Sequence, residues 1–243
     1  MIKANDIEMV KLGGMTPEER KRYEKNKIEI NKKVSSLITE ATKNAKLECC
    51  ILCHKPCSSF CNSHSIPQFA LKRIAEDGKV MLPLQDEILT IGKDIGVNKA
   101  GTFHIICRDC DSRVFQLYED PNAYNSKPAD QMLAQIALKD VLLMISKRNQ
   151  EREQYKLVGE QAEFLKDFAD EKIYWGNFDL RDYGEDLEYA RSSLDGRKSN
   201  RYYLCFYTVL DYVVPYAAQS SVTLISDFED SIVNNIYSQE QKY

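Results

Sequence analysis

The sequence predicts an α+β protein in three parts: a long N-terminal helix, a small cysteine-rich ββα module, and a C-terminal half of helices and an antiparallel sheet. Residues 18–46 contain no Gly or Pro, as a long helix requires. Two Cys-x-x-Cys pairs, Cys50–Cys53 and Cys107–Cys110, lie near the two ends of the module. From Arg201 the chain is rich in β-branched and aromatic residues, which favour strands.

The composition is that of a globular protein. The chain has 243 residues, of which 43% are hydrophobic, enough to form a core in one large domain or two modest ones. Its 33 basic and 37 acidic side chains give a net charge of -4, which argues against a polycation that coats nucleic acid. Residues 1–128 hold 20 Lys and Arg against 17 Asp and Glu, leaving 13 against 20 for residues 129–243. The N-terminal half is therefore mildly basic and the C-terminal half acidic.

The distribution of apolar residues argues against a membrane protein. The sequence has no run of eighteen apolar residues, and its N-terminus lacks the uninterrupted apolar segment of a signal peptide. We therefore expect a cytoplasmic protein with no membrane partner. In that reducing compartment, eight cysteines with paired spacing favour metal binding over disulfides.

The first part, residues 1–47, is expected to be mainly helical. Thr16 precedes Pro17, and Glu19 follows three positions after Thr16, which is the pattern of a capped helix start. The helix is predicted to run to about Lys46, with its lysines on a solvated face. Its apolar stripe consists of Ile28, Val34, Leu37, Ile38 and Ala41.

The second part, residues 48–120, is a module of short elements. Pro67 to Ala75 has the apolar spacing of a short helix, and residues 79–91 contain two strand-like apolar pieces. Thr102 to Cys107 is predicted to be a strand that delivers the second cysteine pair. The helix that follows is expected at Asp111 to Tyr118.

The two cysteine pairs predict a structural zinc site. Each pair has the spacing of a zinc knuckle, and two knuckles fill the tetrahedral shell of one Zn²⁺. The loop at 48–64 has too few large apolar residues to fold without such a cross-link. The expected ligands are Cys50, Cys53, Cys107 and Cys110. Four neighbouring side chains are alternative ligands: Cys49, His54, Cys57 and Cys61.

The third part, residues 129–243, follows a polar, proline-bounded stretch at 120–128 that is a candidate boundary. Apolar periodicity predicts three helices in it, at 129–156, 160–174 and 184–194.

Three runs at the end of the chain predict an antiparallel sheet packed on these helices. They begin at Arg201, Ser220 and Ser231 and are rich in β-branched and aromatic residues. Cys205 lies in the first run and is expected to be buried as a small hydrophobic residue. This half has no histidine and no cysteine pair, so no catalytic site is predicted there. Its tyrosines favour a surface for a protein partner or for a homo-oligomer.

A resemblance to a known family rests on the order of these motifs. Cys50-x2-Cys53, then His64 in S-H-S-I-P, then a strand leading into Cys107-x2-Cys110-Asp111, is similar to the zinc-containing branch of the HNH, or His-Me finger, endonucleases. The resemblance covers roughly residues 48–120 and implies a treble-clef-like ββα fold. The chain also resembles a sparsely characterised group of bacterial proteins with S-H-x-I-P and C-x-x-[HC]-D segments.

The resemblance to the HNH family implies hydrolysis of phosphodiester bonds in DNA or RNA. That reaction needs a general base to deprotonate water and a divalent cation, here Mg²⁺ or Mn²⁺, to neutralise charge. By resemblance, His64 is the base and Asp111 is a ligand of the cation. Asn62, Ser63 and Glu119 are further residues for that cation site.

One position departs from the family pattern. The residue before the histidine is usually a metal-binding Asp, and here it is Ser63, whose hydroxyl is a poorer ligand for a hard cation. Either Asn62, Glu119 or Asp120 completes the site, or the cation is weakly held, or the site is catalytically inactive. His64 has two further interpretations, as a turn residue or as a zinc ligand, and Asp111 is also a candidate helix cap.

Two functions are therefore expected from the sequence. The first is an HNH-like, metal-dependent nuclease, for which the resemblance suggests bacterial antiviral defence. The alternative is a non-catalytic zinc module that binds nucleic acid or a protein. Ser63 favours the alternative, whereas His64 and Asp111 favour the enzyme.

Overall fold

A computed structural model describes residues 16–82, 93–194, 201–221, 228–229 and 231. Within these residues the fold is mixed and dominated by helices, with two small antiparallel sheets. The helices are α1 (Pro17–Asn44), α2 (Gln68–Ile74), α3 (Arg108–Val114), α4 (Gln116–Glu119), α5 (Asp130–Gln161) and α6 (Lys166–Leu194). The strands are β1 (Ser63–His64), β2 (Lys79–Leu82), β3 (Lys93–Gly96) and β4 (Thr102–Phe103). Short 3₁₀ turns cover Val97–Lys99, Pro121–Asn125 and Glu163–Leu165.

The predicted long N-terminal helix is confirmed as α1. Its start has the expected capping box, because the Glu19 amide donates to Thr16 Oγ1 at 3.3 Å and the Thr16 amide donates to Glu19 Oε2 at 2.8 Å. The apolar stripe of α1 differs from the prediction at its first residue, Ile28. Ile28 is 74% exposed, whereas Ile30 is half-buried and lies on the same helical face as Ala41.

The module contains two hairpins. Strand β1 pairs with β4, with Ser63 opposite Phe103, and β2 pairs with β3. The predicted helix at Pro67 to Ala75 is confirmed as α2, and the first strand-like piece is confirmed as β2. The second strand-like piece, 87–91, lies outside the described residues. Strand β3 was not predicted, since Lys93–Gly96 has low strand propensity.

Two boundaries around the second cysteine pair differ from expectation. The strand predicted at Thr102 to Cys107 ends at Phe103, because the next carbonyls bond to the first knuckle instead. Ile105 O accepts from the Ile51 amide at 3.0 Å, and Ile106 O accepts from the Cys61 amide at 2.8 Å. The helix predicted at Asp111 to Tyr118 begins earlier, at Arg108, and breaks at Phe115 into α3 and α4.

Helices α5 and α6 form a long hairpin, and α1 packs on α5. The prediction of separate helices at 160–174 and 184–194 is wrong, since α6 is continuous. Its Gly176 is buried and packs closely against the side chains of Arg148 and Arg152 of α5. A Cβ at Gly176 would lie 3.2 Å from Arg152 Cγ and 3.3 Å from Arg148 Cδ. This glycine therefore permits close packing and does not end the helix.

The sheet predicted from Arg201 onward is not formed in its first run. Residues 201–221 contain no strand and are bonded to the body of the protein. The Tyr202 amide donates to Asp130 Oδ1 at 3.2 Å, Tyr207 Oη donates to Tyr124 O at 2.8 Å, and Gln219 Nε2 donates to Ile136 O at 2.9 Å. The other two predicted runs fall mostly outside the described part of the chain.

One cluster of buried side chains joins the module to the helical hairpin. It contains Cys50, Phe103, Ile106 and Phe115 from the module and Leu138, Leu142, Leu187 and Ala190 from α5 and α6. The module is thus held against α5 by a shared core. None of the helices in the described part combines the length and hydropathy of a membrane-spanning segment.

Candidate metal centre and the adjacent lysine cluster

The four predicted cysteine ligands meet at one point. The sulfur atoms of Cys50, Cys53, Cys107 and Cys110 all lie within 4.8 Å of one another, and those of Cys53 and Cys107 are 3.8 Å apart. In a tetrahedral site with Zn–S bonds of about 2.3 Å, the sulfurs are roughly 3.8 Å apart. The thiols therefore can hold a structural metal ion such as zinc.

The backbone around each knuckle positions its sulfurs. The His54 amide donates to Cys50 O at 2.8 Å, and His54 adopts φ 57°, which turns the chain so that Lys55 O accepts from the Cys50 amide at 3.0 Å. Cys107 caps α3, because its sulfur accepts from the Cys110 amide at 3.5 Å. The Cys107 amide in turn donates to Cys50 Sγ at 3.2 Å. These contacts fix both pairs against each other.

The thiols differ in how readily they lose a proton. Burial acts to raise the pKa of Cys50, but backbone amide hydrogen bonds, that from Cys107 first, outweigh it and lower the pKa to about 7. For Cys110, burial and the neighbouring thiols of Cys107, Cys53 and Cys50 raise the pKa well above its usual range. Crowding thus opposes a second thiolate, and a divalent cation removes that opposition.

The alternative ligands lie outside this group. Among the described His, Cys, Asp and Glu side chains, the four cysteines are the set that meets. Cys57 Sγ donates to Ser59 O at 2.9 Å, and Cys61 Sγ donates to Asp111 Oδ2 at 3.3 Å. Burial first, and then Asp111, raise the pKa of Cys61 to about 11. Cys205 is exposed, so the prediction that it is buried is wrong.

A buried lysine lies next to the metal centre. Lys139 of α5 is 0% exposed, and its ammonium Nζ is 2.7 Å from Ser63 Oγ, 2.9 Å from Asp111 Oδ1 and 3.1 Å from Glu119 Oε1. The ring of Phe115 lies 4.1 Å from the same nitrogen. We call these four polar side chains, Lys139, Ser63, Asp111 and Glu119, the lysine cluster. It places one positive charge among three oxygen atoms that can accept hydrogen bonds from it.

Asp111 is fully engaged in this cluster. Its Oδ1 also accepts from Ser63 Oγ at 2.6 Å. Burial acts to raise the pKa of Asp111, but the charge of Lys139 and the hydrogen bonds from Ser63, Lys139 and Cys61 hold it below its usual range. Asp111 does not cap a helix as one interpretation expected, since Cys107 caps α3 and Asp111 lies in its first turn.

His64 and Asn62 lie at a different place. Successive strand residues point to opposite faces, so Ser63 reaches Asp111 while His64 is directed toward the turn at Val97–Lys99. His64 Nε2 is 3.1 Å from Val97 O, and Asn62 Nδ2 donates to Asn98 O at 2.7 Å. The structure therefore brings Ser63, Asp111 and Glu119 together, and it places His64 and Asn62 beside the turn.

Lys139 was missed by sequence reasoning, because a lysine in an amphipathic helix is normally solvated. Its position held a signal. Gln135, Lys139, Leu142 and Ser146 are all buried and follow one another at intervals of four, three and four residues, which is a single helical face. A lysine on the buried face of a helix requires an acidic partner.

No protein-family model matches the chain, and comparisons with curated proteins and with solved structures found no significant match. We therefore base the functional proposal on the geometry of the four thiols and of the lysine cluster.

Proposed function

We propose that this chain is a non-catalytic, zinc-stabilised module of treble-clef-like type that binds a protein partner. The observation that carries the proposal is Lys139. Its ammonium lies among Ser63, Asp111 and Glu119, which are three of the four residues predicted for the divalent cation of an HNH-like site.

A divalent cation and the ammonium compete for the same oxygens. Mg²⁺ requires ligand distances of about 2.0–2.1 Å in near-octahedral geometry, whereas these oxygens are spaced around a nitrogen at 2.7–3.1 Å. Two unit charges about 4 Å apart repel by about 4 kcal/mol at an effective dielectric constant of 20, and a divalent ion doubles that value. This supports a site that needs no cation.

Charge supports a protein partner over nucleic acid. The whole chain carries a net charge of -4, and α6 alone has eight Asp and Glu against four Lys and Arg. Binding of nucleic acid depends on neutralising phosphates with lysine and arginine. In contrast, residues 203–216 expose several large aromatic side chains, which are enriched at protein interfaces.

A second candidate is the HNH-like nuclease acting on DNA or RNA with Mg²⁺ or Mn²⁺. It is favoured by the convergence of Ser63, Asp111 and Glu119 on one point, as a metal-dependent site would require. In that case His64 would be the general base, and Lys139 would have to leave the cluster before a cation entered. A role in antiviral defence is implied by resemblance alone.

A cleavage assay distinguishes the two functions. Purified zinc-loaded wild type, His64→Ala and, as a matched control, His104→Ala are incubated with plasmid DNA and with RNA in Mg²⁺ or Mn²⁺. His104 is an exposed histidine outside the lysine cluster. We expect the three proteins to show the same background, because Lys139 keeps the added cation out of the lysine cluster and none is bound there to stabilise the transition state. Cleavage that His64→Ala abolishes and His104→Ala retains would establish the nuclease instead.

A further inference from the structure

We propose that residues 203–216, which we call the aromatic strip, form the interface of a homodimer. This inference names the partner in the proposed function as a second copy of this chain. It rests on that function only in taking the partner to be a protein.

The exposed side chains of the strip are large and apolar. Seven of them are 46–89% exposed: Tyr203, Phe206, Val209, Leu210, Tyr212, Val213 and Tyr216. A buried aromatic side chain covers about 150–250 Å², so the four aromatics alone offer roughly 600 Å². That area already equals the largest apolar patches of monomers, which are about 300–600 Å². With the aliphatic residues it approaches the roughly 800 Å² that each partner buries in a standard interface.

The strip is held in place by contacts on its inner side. Tyr207 Oη bonds to Tyr124 O, and the flanking residues Tyr202 and Gln219 bond to Asp130 and Ile136. The ring of Tyr202 also packs edge-on against Tyr189, with centroids 5.6 Å apart. These anchors order the chain before any partner binds, which lowers the entropic cost of association.

Backbone groups of the strip can contribute to the interface in addition to its side chains. Residues 203–216 make no backbone–backbone hydrogen bond within the described chain, although their sequence has high strand propensity. Backbone amides and carbonyls without such partners can be paired by strand addition. An identical strip supplies the matching donors, acceptors and aromatic surface, as an isologous two-fold contact requires.

Charge favours a second copy over nucleic acid as the occupant. Residues 202–221 contain one charged side chain, Asp211, and no Lys or Arg. Two strips can therefore meet with little repulsion, whereas a strand of nucleic acid would find aromatic faces but no partner for its phosphates.

Sedimentation of the full zinc-loaded chain tests the proposal. We expect wild type to have twice the 28.0 kDa chain mass from micromolar to submillimolar concentration, and a Phe206→Glu/Tyr212→Glu variant to have half the wild-type mass. The matched control is Ile28→Glu/Met81→Glu, at apolar residues 74% and 70% exposed outside the strip, which should remain dimeric. A monomeric wild type overturns the proposal, and so does a strip variant that still dimerises. Binding of an oligonucleotide to the strip of a monomeric wild type would identify nucleic acid as the occupant instead.

Amide exchange of wild type tests the interface without any variant. Strand pairing protects backbone amides, so those of residues 203–213 should exchange roughly tenfold more slowly in the dimer than in protein diluted to the monomer. Equal exchange rates in this segment would overturn the proposal. Zinc content and the cleavage assay are measured on the same samples, so failure of the dimer is distinguishable from failure of the proposed function.

Discussion

Cys107→Ser is expected to lose the bound metal and to unfold the module. The hydroxyl that replaces the thiolate is a weak zinc ligand, and the three remaining thiols leave the shell open. Structural zinc contributes about 10–16 kcal/mol of apparent binding energy in zinc-finger peptides. Metal analysis after dialysis against a mild chelator should find about one Zn²⁺ per wild-type chain and almost none in the variant.

The loss of metal should also appear in thermal melting. Because the module shares its core with α5 and α6, we expect a fall in Tm of about 10–20 °C, corresponding to roughly 5 kcal/mol for a chain of this size. Cys57→Ser is the matched control, because Cys57 lies in the loop after the first cysteine pair but outside the thiol cluster. A Cys107→Ser protein that keeps both its metal and its Tm would contradict the zinc assignment.

Lys139→Met should destabilise the fold by about 3 kcal/mol, because removing one partner of a buried ion pair leaves an uncompensated charge. The charges left behind are those of Asp111 and Glu119, whose side chains are 21% and 38% exposed. Adding Asp111→Asn to Lys139→Met should recover much of the loss, since it removes the more buried of the two carboxylates. The free energies of unfolding are measured by urea denaturation of the zinc-loaded proteins.

The control for Lys139 is a lysine in an exposed ion pair. Lys33 lies 3.0 Å from Glu29 on α1 and is 50% exposed, so Lys33→Met should change the free energy of unfolding by less than about 0.5 kcal/mol. Two results would contradict this role of Lys139. One is a loss of unfolding free energy in Lys139→Met as small as that in Lys33→Met, and the other is a further loss when Asp111→Asn is added.

The metal centre was predictable because its chemistry is local in sequence. Each Cys-x-x-Cys pair fixes two ligands within one turn, so the spacing of Cys50–Cys53 and Cys107–Cys110 was sufficient to predict four converging thiols. The capping residues of α1 were predictable for the same reason. Within each cysteine pair and within the cap, the two residues lie three positions apart.

The lysine cluster was not predictable in this way. Lys139 lies 28 residues from Asp111 and 76 from Ser63, and no local pattern links them. The resemblance assigned Asp111 to a divalent cation, with Asn62, Ser63 and Glu119 as further residues for its site, and so placed a metal ion where the structure has the Lys139 ammonium.

Predictions for the C-terminal half were wrong for physical reasons that do not show in the composition. Apolar periodicity predicted separate helices at 160–174 and 184–194, but α6 runs through the gap, where Gly176 packs against the arginines of α5. The strand predicted for residues 201–214 is not formed, since strand propensity alone does not supply a neighbouring strand. In the described chain these residues bond to α5 and to the turn before it instead.

The central claim, that Lys139 takes the place of a divalent cation, is tested most directly by Mn²⁺ binding. Zinc-loaded wild type and Asp111→Asn are titrated with Mn²⁺, and bound ion is measured by electron paramagnetic resonance. The account predicts identical curves, because the ammonium already holds the oxygens of Ser63, Asp111 and Glu119. One Mn²⁺ bound by wild type and lost in Asp111→Asn would contradict it.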